Sequence, residues 1–137
     1  MYIVKYEDKT FELTEENLAE FNNDEDKPVN GIGANDILEL LNQKGDLAFE
    51  IEYFNRACQV CFAGKEEKAK YFTFLTYSFY LYTKNGKYVM SNLSKEYEGT
   101  SFSKLLKQEI VDESYCVSVL VCDSCGKYTI EILQCDI

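Results

Sequence analysis

Cys122-Asp-Ser-Cys125-Gly126 lies between two runs of strand-forming residues, 115–121 and 127–133, and its reading decides how the C-terminal part of the chain folds. Alternating apolar residues on both sides of a tight polar turn predict a β-hairpin. The turn carries cysteines at positions i and i+3, with glycine directly after the second. In such a turn the amides after the first cysteine point at its sulfur, and two thiolates reach two corners of a tetrahedron. Gly126 permits the positive φ that the turn requires. A second pair, Cys58-Gln-Val-Cys61, follows another strand-like stretch, residues 47–55. It is less regular, because Phe62 and Ala63 follow Cys61 and glycine arrives only at Gly64.

The two pairs read as halves of one four-thiolate metal site made of Cys58, Cys61, Cys122 and Cys125, with structural zinc as the expected ion. Iron uses the same ligand set and stays open. Histidine is absent, which excludes mixed Cys/His sites. Lys65, Lys127 and Arg56 lie close in sequence and could offset the negative charge of a tetrathiolate centre. Cys116 is six residues before Cys122, about 20 Å along a straight strand. It and Cys135 therefore stand apart from the site and read as buried small apolar residues, with Cys116 expected opposite Glu131.

Over about a dozen residues the second motif resembles the zinc knuckle of zinc-ribbon proteins, which implies zinc ligation through Cys122 and Cys125. The whole chain resembles small uncharacterised clostridial and other low-GC bacterial families with two Cys-x-x-Cys motifs, a resemblance that implies no activity. The alternative is a thiol-disulfide redox protein or redox sensor using Cys58 and Cys61. The order of strand 47–55, Cys-x-x-Cys and a stretch that reads as a helical turn resembles that of thioredoxin-like proteins. Those proteins carry a proline downstream of the motif, whereas the only proline here, Pro28, lies upstream. Gly64 would also interrupt the helix that lowers the thiol pKa.

Bulk properties narrow the function classes. The 137 residues are expected to form one domain, 1–137. Apolar residues make up 46% of the chain, enough to build a core. A net charge of −10 argues against nucleic acid, whose binders need a basic face, and against anionic membranes. No apolar run reaches ~18 residues, and residues 1–8 lack the features of a secretory signal. Paired cysteines without an export signal point to metal or redox chemistry in the cytoplasm. Without histidine there is no Ser-His or Cys-His pair. A tetrathiolate zinc leaves no position for water. No catalytic residue is expected, and the predicted role is recognition of another protein through an acidic or tyrosine-rich surface.

The remaining pattern predicts an α+β fold with a mostly antiparallel sheet and about three short helices. Strands are expected at 2–6, 11–13, 47–55, 71–83 and 87–91, with Asn85-Gly86 as a two-residue hairpin turn. In the strand at 47–55, Leu47, Phe49, Ile51 and Tyr53 share the inner face, and Glu50 and Glu52 the solvent face. Thr14 is expected to cap a helix with Leu18 and Phe21 as its apolar face. Asn35 or Asp36 caps a second helix through Lys44, ended by Gly45. Thr100 or Ser101 caps a third over 102–111, with Phe102, Leu105, Leu106 and Ile110 inward. Lys65 to Lys70 reads as one helical turn. Gly31-Ile-Gly33 and Asp24-Glu25-Asp26 read as loop punctuation and a solvated acidic loop rather than ligand sites. The aromatic run from Tyr71 to Tyr82 reads as sheet core with a tyrosine-lined outer face.

Overall fold

The longest alternating run in the chain, Phe72–Lys84, forms the strand on which the others assemble. The computed structural model describes residues 1–45, 47–62 and 70–135. In chain order the strands are β1 (Tyr2–Tyr6), β2 (Lys9–Leu13), β3 (Leu18–Asn22), β4 (Glu50–Phe54), β5 (Phe72–Lys84), β6 (Lys87–Ser91), β7 (Glu113–Cys122) and β8 (Tyr128–Cys135). The helices are α1 (Ala34–Lys44), between β3 and β4, and α2 (Phe102–Lys107), between β6 and β7. β1 and β2 make a separate hairpin, and the main sheet runs β3-β8-β7-β5-β4, with β6 also paired to β5. Among the described residues every strand pairing is antiparallel except β3 with β8. The α+β expectation therefore holds, with two α-helices among the described residues where about three were expected.

Side-chain alternation gives the sheet two unlike faces. Leu75 and Phe79 of β5, Val117, Val119 and Val121 of β7, and Ile130 and Ile132 of β8 point to one side and are buried. Ile37, Leu38 and Leu41 of α1 and Tyr2, Val4 and Leu13 of the hairpin cover them in one cluster. Gly33 rather than Asn35 or Asp36 is the N-cap of α1. Asp36 reaches back, its carboxylate accepting from the Gly33 amide at 2.8 Å. Gly45 ends the helix at φ 89° as expected. On the opposite face, Leu105, Val111 and Phe102 pack on Tyr82 at one end.

Three expectations fail for local reasons. Residues 14–17 make a single turn, in which the Asn17 amide reaches the Thr14 hydroxyl and carbonyl, and the chain then enters β3 instead of a helix. Leu18 pairs with Tyr128 and Phe21 with Ile130, so three residues on β3 match two on β8 across a bulge. The bulge puts an i, i+3 pair on one strand face, and that spacing imitates a helix. The third helix stops at Lys107 because Glu109 takes φ 59°. Leu106 and Ile110 are each 40% exposed as a result. Ser101 is its cap, as expected, and accepts from the Lys104 amide. In the 47–55 stretch only residues 50–54 pair, and Tyr53, on a sheet-edge strand beyond the helix cover, is 70% exposed instead of inward.

The Asn85-Gly86 turn is as expected, with both residues at positive φ. The possible helical turn at Lys65 to Lys70 falls largely outside the described residues. No helix among the described residues is long and apolar enough to cross a membrane. Ile130 is fully buried at the centre of the covered face. Replacing it with alanine should cost about 2–5 kcal/mol in urea unfolding, by lost burial plus the cavity left behind. A cost under 1 kcal/mol would contradict this placement of the core.

Candidate metal centre

The strand order explains how two distant segments meet. β4 and β7 flank β5, so their ends lie two strand spacings apart, about 10 Å. Cys122 is the last residue of β7 and stands opposite Phe74 of β5, which stands opposite Glu52 of β4. Phe54 closes β4 and meets Phe74 edge-on, with ring centroids 5.2 Å apart. From there residues 55–57 carry the chain back over β5 to Cys58.

The result is a cluster in which the Sγ atoms of Cys58, Cys61, Cys122 and Cys125 all lie within 4.8 Å of one another. Cys58 to Cys125 is 3.7 Å and Cys61 to Cys122 is 3.6 Å. These are not bonded sulfurs, which sit about 2.05 Å apart. They match the edge of a tetrahedron: four sulfurs each about 2.3 Å from one ion are about 3.8 Å from each other. Such a cluster can hold a metal ion. Cys58 and Cys122 are buried, while Cys61 and Cys125 are exposed.

The two motifs adopt the same turn. The amides of Val60 and Cys61 point at Cys58 Sγ, and those of Ser124 and Cys125 at Cys122 Sγ. The Phe62 amide donates to the Cys58 carbonyl at 2.9 Å, and the Gly126 amide to the Cys122 carbonyl at 3.0 Å. Gly126 sits at φ 77° and Phe62 at φ 52°. Phe62 thus occupies the position that glycine holds in the second motif. The first motif looked irregular in sequence because the wrong residue type fills a left-handed position. The cue available in the sequence was spacing alone.

The surroundings treat Cys122, Cys125 and Cys58 differently. Burial pushes Cys122 well above the ordinary thiol range, against the opposing pull of the Cys125 and Ser124 amides. Cys125 is also raised, chiefly by burial. Burial pushes Cys58 the same way, but the amides of Cys61 and Val60 and the neighbouring thiols outweigh it and leave Cys58 lowered. Amide donors aimed at sulfur favour thiolate at Cys58, while Cys122 and Cys125 call for a positive charge to ionise. Of the three cations close in sequence, Lys127 is engaged elsewhere. Lys127 reaches Cys125 through its backbone amide, while its ammonium is held by the Glu16 carbonyl and the Asn17 side chain at 3.2 Å each. Arg56 is exposed, and Lys65 lies outside the described residues.

The other cysteines are elsewhere. Cys116 and Cys135 point to the second face of the sheet, opposite Leu133 and Ser114. Cys116 was expected opposite Glu131. The turn includes Lys127, whose carbonyl accepts from the Cys122 amide, and this shifts the register by two residues. Both cysteines are half-buried rather than buried. The remaining sequence candidates have structural roles. Asp24 accepts from the amides of Asp26, Lys27 and Gln134, the last tying the acidic loop to β8. The Glu52 carboxylate accepts from the Thr76 hydroxyl at 2.8 Å.

A mixed α+β chain with a four-cysteine cluster at one end of its sheet is the class of protein that these features define. The chain belongs to the family described as "Protein of unknown function (DUF3785)", whose model matches residues 2–137. No curated protein and no solved structure matches it.

A Cβ at residue 126 would meet Phe11 at 3.5 Å, an ordinary contact, so the cost of Gly126→Ala lies in backbone strain. The left-handed region costs a non-glycine residue about 1–2 kcal/mol. Gly126→Ala should lower unfolding stability by that amount, whereas Phe62→Gly should not lower it comparably. Equal losses from both substitutions would contradict the equivalence of the two turns.

Proposed function

We propose that Cys58, Cys61, Cys122 and Cys125 bind one structural zinc ion in two zinc-knuckle turns, and that the domain so pinned is a protein-interaction module rather than an enzyme. The observation that carries the metal reading is the convergence of four Sγ atoms within 4.8 Å from segments more than 60 residues apart. Thiolate-only donors suit zinc, and four of them close the coordination sphere to water. Ion binding here joins the β4 exit to the β7–β8 hairpin, so its free energy enters the folding equilibrium. For structural zinc in small domains that contribution is on the order of 10 kcal/mol. Support for the interaction reading comes from the apolar rim near the cluster, where Val60 and Phe62 are exposed and Tyr53 and Tyr71 are about two-thirds exposed. A net charge of −10 turns the surface toward basic protein partners. A cytoplasmic location fits unpaired thiols kept reduced.

Purified protein should carry one zinc per chain by elemental analysis, and a strong chelator should abolish its cooperative unfolding transition. Because protons compete with metal for thiolate, zinc should be lost, and stability with it, as the pH falls and not as it rises. Cys122→Ser should reduce zinc content, whereas Cys116→Ser should leave it unchanged. Protein that holds no metal and unfolds normally in chelator would overturn the metal reading. For the interaction reading, a photo-crosslinking residue placed at Tyr53 or Tyr71 should capture a discrete partner in cells, and one placed at Lys5 should not. No adduct from either rim position would count against it.

A further inference from the structure

The four thiols are not interchangeable in their surroundings. Each motif contributes one buried sulfur and one exposed sulfur: Cys58 and Cys122 are covered, Cys61 and Cys125 face solvent. Two contacts shorter than 4 Å run between the motifs, inside a cluster whose sulfurs all lie within 4.8 Å of one another. Exposed Cys61 lies 3.6 Å from buried Cys122, and exposed Cys125 lies 3.7 Å from buried Cys58. Each sulfur that a small solute can reach therefore has a buried partner within 3.7 Å in the other segment of the chain.

We propose that the cluster is a site of oxidative modification by hydrogen peroxide or another hydroperoxide. Oxidation converts it into two disulfides that span the motifs, Cys61–Cys122 and Cys58–Cys125, and expels the metal. The metal-release part rests on the zinc reading above; the disulfide pattern does not. Exposed thiolate attacks first: Cys61 Sγ displaces hydroxide from the peroxide O–O bond and becomes a sulfenic acid. The Cys122 thiolate then attacks that sulfur, the S–S bond forms, and a second hydroxide leaves. Two sulfurs have lost one electron each, and one peroxide has taken up both. The same two steps at Cys125 and Cys58 consume a second peroxide. A thiolate spent in a disulfide no longer carries the charge that holds the ion, so the ion leaves.

This pairing has a structural consequence that disulfides within each Cys-x-x-Cys would lack. A cross-motif disulfide ties residues 58–61 to residues 122–125, the junction that the ion maintains in the reduced protein. Oxidation would remove the metal and keep the junction, whereas chelation would remove both.

The test uses the full-length protein as purified, with its metal content measured first, treated with increasing hydrogen peroxide. Free thiols are then blocked, and the protein is digested with trypsin without reduction. Cleavage after Arg56 and after the lysines around residues 65 and 127 separates the motifs. The proposal expects the peptide bearing Cys58 and Cys61 to migrate joined to the peptide bearing Cys122 and Cys125. Zinc should appear in solution, read by a chromogenic chelator, in step with the joined species. Far-ultraviolet circular dichroism should be retained in the oxidised sample and lost in the reduced, chelated one. Two separate peptides, each lighter by two hydrogens, or sulfinic and sulfonic acids without any joined species, would overturn the proposal. A Cys61→Ser, Cys122→Ser double variant should still join the motifs through Cys58 and Cys125; failure of that variant to do so while folded would also overturn it. If the purified protein carries no metal yet joins its motifs, the zinc reading fails and the pairing stands. If it carries zinc and the motifs do not join, the reverse holds.

Discussion

Four sulfur atoms occupying one small volume is the constraint on which the rest of this structure depends. Burial raises Cys122 and Cys125 above the ordinary thiol range, so these two sulfurs resist ionising in the protein alone. A cation at the centre of the cluster would reverse that preference. It would turn the energetic burden of crowded thiols into a cross-link between residues 58–61 and 122–125. Amides aimed at Cys58 and Cys122 are in place for this. They partly neutralise thiolate without side-chain cations, which matters in a chain with a net charge of −10 and a single arginine.

The sheet exists in the form that the cluster needs. β5 separates β4 from β7 and provides the shelf, Phe72 to Phe74, across which the first motif returns. With Cys58 and Cys122, Tyr71, Asp123 and Ser124, this shelf lines a cleft of about 190 Å³ beside the sulfurs. On the opposite side of β7, Tyr128 of β8 anchors the turn that follows Thr14, its hydroxyl donating to the Thr14 carbonyl at 2.9 Å. The hairpin bearing the second motif is thereby fixed by hydrogen bonds and core packing on one side. The loop bearing the first motif leaves an edge strand. Among the described residues, this asymmetry would leave residues 55–62 to be positioned by an ion bound at the cluster.

Much of this was legible in sequence, and each failure has its own physical cause. Cysteine spacing identified all four members of the cluster, since thiols at i and i+3 have few other reasons to recur. Asn85-Gly86 and the 122–126 turn were legible because positive φ restricts residue type. β3 was not, because its bulge gives Leu18 and Phe21 a helical spacing while both face the core. The regularity of the first motif was hidden because Phe62 adopts the conformation that Gly126 adopts in the second. The exposure of Tyr53 and the half-burial of Cys116 and Cys135 depend on which parts of the sheet the helices cover. That information lies in tertiary packing and not in local pattern.

The family's model matches nearly the whole chain, residues 2–137, and all four cysteines of the cluster lie within that match. The account stands or falls on what lies at the centre of the sulfurs. X-ray absorption at the zinc edge of the reduced, purified protein measures this directly. A first shell of four sulfurs at about 2.3 Å, with no nitrogen or oxygen, is the expected result. A shell containing light atoms, fewer than four sulfurs, or no zinc absorption at all would contradict it.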